Sequence, residues 1–289
     1  MKNKVLIIII GESTGFECLK NILKLKYFKI FLVVSTDKNY HYAIKKLCII
    51  NKINFLKSSE FKKNSTQVKL HKNNQYFLLS IFSNLILKSN FLKKFNGKAF
   101  NLHPGLLPYY PGKNCISGVL YNNEKITGVS LHQITDEVDK GPIIKQKKIK
   151  IYKDDNLIKL MNRLKPNSVK IINNFVRNIY FKKKIIYFKN DISLRKKFPK
   201  YIPNKGIINA KTNYTEFQKL FKASHFGPFK NSWGRLCFIY QNKKKYIVDV
   251  LQIDILQIKN INSIIFIKKI NKNKFNLNFR NKVVTVLTK

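Results

Sequence analysis

Acidic residues are scarce in this chain of 289 residues, where 14 Asp and Glu face 57 Lys and Arg for a formal charge of +43. So basic a balance invites a nucleic-acid or anionic-membrane reading. The basic residues, however, run through the whole chain among abundant Asn and Ile instead of gathering on one stretch. That pattern speaks for compositional drift towards Lys, Asn and Ile, with a non-specific affinity for polyanions as its by-product. Paired cysteines are absent: Cys18, Cys48, Cys115 and Cys237 lie far apart. This excludes a CxxC-type zinc site and a disulfide framework, so no metal is expected. No apolar run approaches a membrane span, and Val5 to Ile10 is too short for a secretory core. A cytoplasmic protein with reduced thiols is the resulting expectation. Nucleotide fingerprints are missing as well. The loop from Gly11 to Gly15 reads GESTG, which is neither GxGxxG nor GxxxxGK[ST], and Glu12 would oppose a phosphate.

What is present is a regular alternation of apolar strands and helices. Val5 to Ile10, Ile30 to Thr36, Ile53 to Leu56 and Gln75 to Phe82 read as strands, with helices from about Phe16 to Leu25 and from His41 to Asn51. The βαβα order predicts a doubly wound, mostly parallel, Rossmann-like α/β sheet whose ligands gather outside the carboxyl ends of its strands. Leu157, Leu160, Met161 and Leu164, then Ile172, Phe175, Val176 and Ile179, fall at helical spacing, and Pro166 is expected to part them into two helices. From Phe181 to Lys205 the sequence is basic and irregular and reads as a surface linker. Asn213 caps a short helix carrying Phe217, Leu220 and Phe221. Five strands follow: Arg235 to Gln241, Tyr246 to Leu256, Ser263 to Lys268, Phe275 to Phe279 and Val283 to Leu287. The expected organisation is a domain over 1–180, a linker over 181–205 and a small β-barrel of OB type over 206–289. His225 and Trp233, within FKASHFGPFKNSWGR, read as a plug at the domain junction or as the wall of a pocket.

One stretch concentrates the chemistry. Asn101 to Gln146 reads NLHPGLLPYYPGKNCISGVLYNNEKITGVSLHQITDEVDKGPIIKQ. Asn101 and His103 sit two apart after an apolar pair, and Pro104, Pro108, Pro111 and Gly112 force a turn-rich loop. A strand-like Gly128 to Ile134 then empties into Thr135 to Gly141, which holds Asp136, Glu137 and Asp139. Singly, each residue has an ordinary role: a satisfied loop histidine, a turn-capping Asn, solvated carboxylates, and in Cys115 a packed small residue. Together they place an Asn, a His and an Asp at strand ends.

The words NLHPGLLPYYPG, TGVSLH and TDEVDKGPII, in that order, resemble the folate-dependent formyltransferase family. The family includes methionyl-tRNA formyltransferases, glycinamide ribonucleotide transformylases and amino-sugar N-formyltransferases. The resemblance covers residues 1 to about 180 and, more weakly, the tail. It implies a catalytic set of Asn101, His103 and Asp139. Leu85, Ile86 and Leu87 within SNLILK are implied as a folate-binding backbone segment, and Thr135, Asp136, Glu137, Val138 and Gly141 as a folate loop. Gly11, Ser13, Thr14, Gly105 and Asn114 are implied on the acceptor side. The co-substrate implied is 10-formyltetrahydrofolate. An amine attacking the formyl carbon develops negative charge on oxygen and positive charge on nitrogen. Asn101 and a charged His103 would donate to that oxygen, worth on the order of 3 kcal/mol per donor. Asp139 would hold His103 charged and collect the amine proton through a water.

The acceptor is a narrower question. The tRNA enzymes carry an Arg-Gly-Ala-Ala-Pro-Ile type sequence after the LLP turn, where this chain has YPGKNCISG, and a basic insertion where it has STDKNYHYA. The purine-pathway enzymes lack a C-terminal domain. A small-molecule amine remains, either a nucleotide-linked amino sugar or an amino-acid-derived amine. The alternative is a methionyl-tRNA formyltransferase acting on initiator tRNA, which the charge and the tail favour. No membrane partner is expected, an oligomer is left open, and a fold kept without its chemistry is the third reading.

Overall fold

The structure is a computed structural model that describes the chain except residues 1–2, 66–67, 197, 210, 228–230, 256–265, 280–281 and 289. The chain divides into two compact units. The first comprises Met1–Lys113, Ile126–Lys150 and Arg163–Lys196, and the second Asn114–Lys125, Ile151–Asn162 and Lys197–Lys289.

In the first unit β1 (Asn3–Ile10) is buried at every position from Val5 onward, as a strand covered on both faces must be. It pairs in parallel with β2 (Lys29–Ser35) on one side and β4 (Asn74–Ile81) on the other. β3 (Asn54–Lys57) extends the sheet beyond β2, and β5 (Ala99–His103) lies parallel to β4. β6 (Ile126–Gln133) and β7 (Ile143–Lys150) complete it antiparallel, giving the order β3-β2-β1-β4-β5-β6-β7. The chain leaves β1 towards β2 and returns on the other side at β4. The topological switch point therefore lies between these two strands, where open α/β sheets hold ligands. Exposed Lys145, Lys147, Lys148 and Lys150 line the outer strand β7, which discourages pairing with a further strand.

α1 (Glu12–Leu25) and α2 (His41–Ile50) follow β1 and β2. α1 begins four residues before the expected Phe16 because Gly11 already supplies the extended cap. α3 (Ser58–Asn64) and α4 (Ser89–Leu92) bring Phe61 and Phe91 to a core built on Val5, Ile7, Ile9, Leu32, Val34 and Leu78. Pro166 does not part the next helix. α6 (Leu157–Tyr180) runs through it for 24 residues, after α5 (Cys115–Tyr121). Proline withholds one backbone donor and crowds the carbonyl of Asn162. Continuous burial of Leu160, Leu164, Ile172, Phe175, Val176 and Ile179 outweighs that local cost. Downstream of the proline, Asn167 Nδ2 and Ser168 Oγ bond the carbonyls of Arg163 and Leu164. Among the described residues no helix is long and apolar enough to cross a membrane.

The second unit carries α7 (Tyr214–Ser224), capped by Asn213, whose Oδ1 accepts from the Glu216 amide at 2.9 Å. Its sheet is antiparallel in the order β10-β11-β12-β9-β8. The strands are β8 (Cys237–Tyr240), β9 (Lys243–Ile255), β10 (Phe266–Asn271), β11 (Lys274–Phe279) and β12 (Lys282–Thr288). The start of the expected third strand, 263–265, and the last residue of the second, 256, lie outside the described residues. Trp233 is fully buried within this unit. Its Nε1 donates to the Pro199 carbonyl at 2.7 Å and its ring meets Tyr121 edge-on.

Candidate active site

The carboxyl end of β5 presents Asn101 and His103. Alternation along a strand puts both on one face, with Leu102 turned to the other. β6 runs antiparallel beside it, with His132 opposite Asn101 in the register. The loop between β6 and β7 then delivers Asp139, buried and in the left-handed region at φ 52.

The four side chains converge. One Asp139 carboxylate oxygen lies 3.4 Å from His103 Nδ1 and accepts the Gly112 amide at 2.7 Å. The other lies 3.2 Å from His132 Nε2 and accepts from Asn101 Nδ2 at 3.4 Å. Gly112 supplies that amide from a left-handed turn at φ 77, a conformation that costs glycine nothing. Burial penalises the Asp139 charge, but His103, His132 and the Gly112 amide together outweigh it and hold the carboxyl well below the usual range. Burial pushes the His103 imidazole down from its ordinary value; Asp139 and the Tyr110 carbonyl oppose this, and His132 adds to it.

Proton positions follow from the acceptors. His103 Nε2 lies 2.7 Å from the Tyr110 carbonyl, which can only accept, so Nε2 carries a hydrogen. His132 Nδ1 lies 2.8 Å from the Gln133 carbonyl and is protonated for the same reason. His132 Nε2 sits 3.1 Å from Asn101 Nδ2. The Asn101 amide nitrogen, expected to be free for an oxyanion, is thus engaged. Its carbonyl oxygen is buried and, among the described residues, has no hydrogen-bond partner. A buried acceptor left open costs about 1–3 kcal/mol unless a ligand's donor fills it.

The loop after His103 is fixed from below. Ser130 Oγ donates to the Gly105 carbonyl at 2.6 Å and accepts the Leu107 amide at 3.0 Å. Gln146 Nε2 reaches the Leu107 carbonyl and the Ser130 hydroxyl at 2.8 and 2.7 Å. A side chain on Gly105 would stand 3.0 Å from His103 Nε2, which keeps that position small. His132, Ser130 and Gln146 were not singled out from the sequence. His132 stood in the word TGVSLH, and the signal was its place opposite Asn101 once the two strands pair.

The other expected site residues fall as follows. Ser83 to Lys88 lies outside any helix or strand, with Leu85 and Leu87 leaning on the core and Ile86 exposed. Among the described residues the backbone of Ile86 and Leu87 finds no hydrogen-bond partner, while the Leu85 amide donates to Ser83 Oγ. Thr135, Asp136, Glu137 and Val138 are exposed, and Gly141 is buried. Gly11 is a contact glycine: its amide donates to the Ile81 carbonyl, and a Cβ there would meet the Phe82 carbonyl oxygen at 2.2 Å. Ser13 is half-buried, and Thr14 is fully buried with an unpartnered hydroxyl. Asn114 caps α5 and accepts from the Ser232 hydroxyl.

Residues 3–176 match the family model described as formyl transferase. The bifunctional polymyxin resistance protein ArnA of Wigglesworthia glossinidia brevipalpis is 30% identical over 231 residues, 75% of this chain and 34% of that protein. GDP-perosamine N-formyltransferase of Brucella melitensis is 34% identical over 86 residues, 30% of this chain and 33% of the relative. The matched region thus spans about a third of these curated relatives. Among solved structures, an N-formyltransferase from Helicobacter canadensis, in complex with folinic acid and dTDP-3-aminofucose, superposes with a TM-score of 0.68. The match covers 99% of both chains at 20% identity, so the likeness is one of fold.

Proposed function

Because the chain belongs to the formyl transferase family, we propose that it moves a formyl group from 10-formyltetrahydrofolate to the primary amine of a small molecule, a nucleotide-linked amino sugar foremost. The observation that carries this reading is the convergence of Asn101, His103, His132 and Asp139 around one buried, unpartnered amide oxygen at a strand end. The folate would supply the activated one-carbon group. The open backbone of Ile86 and Leu87 suits pairing with the edge of a flat heterocycle, and the loop Thr135–Gly141 would cover it.

The residues divide the work. Asn101 Oδ1 takes an N–H of the incoming amine and aims its lone pair, a positioning role. The His103 Nε2–H, held by Tyr110 in the resting protein, turns its hydrogen bond to the formyl oxygen as charge gathers there. Asp139, ionised at neutral pH, accepts through a water the proton that the amine loses, and that proton goes to N10 of tetrahydrofolate as the bond from N10 to the formyl carbon breaks. Gly11, Ser13, Thr14 and Gly105 form the acceptor side. The solved neighbour with an aminofucose nucleotide and the perosamine-modifying relative support the amino-sugar choice over an amino-acid-derived amine.

The test incubates purified protein with 10-formyltetrahydrofolate and follows tetrahydrofolate release with TDP-, UDP- and GDP-linked amino sugars, ornithine derivatives and charged initiator tRNA. Release with an amino-sugar nucleotide and formylated product by mass spectrometry is expected. Release with tRNA alone would overturn the acceptor and make the charge of +43 functional. No release with any amine would overturn the reaction.

A further inference from the structure

Two of the groups beside the His103 ring, Asp139 and the Tyr110 carbonyl, sit in stretches of chain held by one segment, residues 188–196. Phe188 enters it by pairing with Ile143 through two backbone hydrogen bonds of 2.7 and 2.9 Å. Two residues later Asn190 Nδ2 donates to the carbonyls of Asp139 and Gly141 at 3.0 and 2.9 Å. A short 3-10 turn, Ile192–Leu194, is capped by Asp191. After it, Arg195 Nη2 reaches the carbonyls of Val138 and Asp139, each at 3.3 Å. The next residue, Lys196, donates its amide to the Tyr109 carbonyl at 2.7 Å. Tyr109 adjoins Tyr110, whose carbonyl binds His103 Nε2.

We propose that residues 188–196 form a strap that positions the His103–Asp139 pair, with Asn190 and Arg195 as the positioning residues. The proposal deepens the catalytic reading of that pair and rests on it. A surface segment folded for its own sake would satisfy its side-chain donors with water or its own backbone. Here two side chains spend theirs on Val138, Asp139 and Gly141, the carbonyls on either side of one left-handed residue. That conformation is uncommon outside glycine and persists where its surroundings over-determine it. Without the strap, Asp139 relaxes towards ordinary backbone angles and its carboxylate leaves Nδ1. Because reacting groups tolerate displacements well below 1 Å, a loss of about tenfold or more in turnover is expected.

The charged and polar groups facing His103 are Asp139, His132 and the Tyr110 carbonyl. Its titration midpoint, followed by NMR on histidine-labelled protein, therefore reports where Asp139 sits. In folded Asn190→Ala and Arg195→Ala proteins the midpoint should fall towards that of Asp139→Asn, with kcat lower and the acceptor KM within about twofold. Losing the Arg195 cation by itself would raise the midpoint, so a fall there marks positioning and not charge. Adding Asn190→Ala to Asp139→Asn should shift the midpoint no further. An unmoved midpoint in both single variants, or an equal shift without Asp139, overturns the strap. Since the titration needs no acceptor, a shifted midpoint in a protein inert towards every amine would sink the formyl-transfer reading and leave the strap standing.

Discussion

Replacing Asp139 by Asn keeps the shape of the side chain and removes its charge, which isolates one cause. Asparagine tolerates the left-handed backbone at this position better than most residues, so strain does not confound the result. The carboxylate's bond to the Gly112 amide becomes an ordinary one, a loss of about 1 kcal/mol. The contacts at 3.4 and 3.2 Å to His103 and His132 lose a charged acceptor, worth about another 1 kcal/mol. At pH 7 the variant should be roughly 2 kcal/mol less stable, a fall in Tm of about 3 °C for a chain of this size. The pH dependence fixes the cause. The folded pKa of Asp139 is depressed, so its contribution is fully present above about pH 4 and fades as pH falls through the folded value. Urea titrations at pH 5, 4 and 3 should show a gap between the two proteins that shrinks steadily towards pH 3 as the Asp139 carboxylate takes up its proton. Turnover should drop by about 10²–10⁴-fold, as expected for a lost proton acceptor. A folded variant within tenfold of the parent rate, or a stability gap that does not close in acid, would refute the reasoning.

Gly11→Ala forces a Cβ to 2.2 Å from the Phe82 carbonyl, which belongs to backbone and cannot give way; urea unfolding should show a loss of about 2–3 kcal/mol. Burial and the nearby Asp37 raise the Glu12 carboxyl to about 7. Stability is therefore lost as pH rises from about 4.3 to 7, and Glu12→Gln should remove that slope and be roughly 3 kcal/mol more stable at pH 8; an unchanged slope would clear Glu12 of the cost. Pro166→Ala restores a helical donor inside α6 and should raise stability by about 1–2 kcal/mol in thermal melts, the gain from helix propensity less the greater freedom of the unfolded chain.

The sheet was legible where one physical signal dominated. Val5 to Ile10 and Gln75 to Phe82 are apolar because both faces are covered, and β1 and β4 lie within two residues of the expected spans. The place of Asn101 and His103 at a strand end was legible because prolines follow directly and close the strand. Pro166 misled because its local penalty is set by the backbone, whereas the gain that overrides it comes from packing along the whole helix. His132 went unremarked because a histidine on an apolar strand has an ordinary reading until its partner strand is known. Asn190 and Arg195 lie in a basic, irregular stretch that reads as a linker, since nothing local records that their donors are spent some fifty residues upstream.

The four cysteines are all buried and none is in a disulfide. Burial pushes the Cys18 thiol up to about 12 and Cys48 to about 11, and raises Cys237 as well. At neutral pH almost none of these exists as the reactive thiolate. Two sit in the first compact unit, Cys18 and Cys48, and two in the second, Cys115 and Cys237. An alkylating reagent therefore finds its target only when the surrounding unit opens. Peptide mapping of label uptake against time turns the thiols into two clocks, one timing each unit, in a protein that needs no engineered probe.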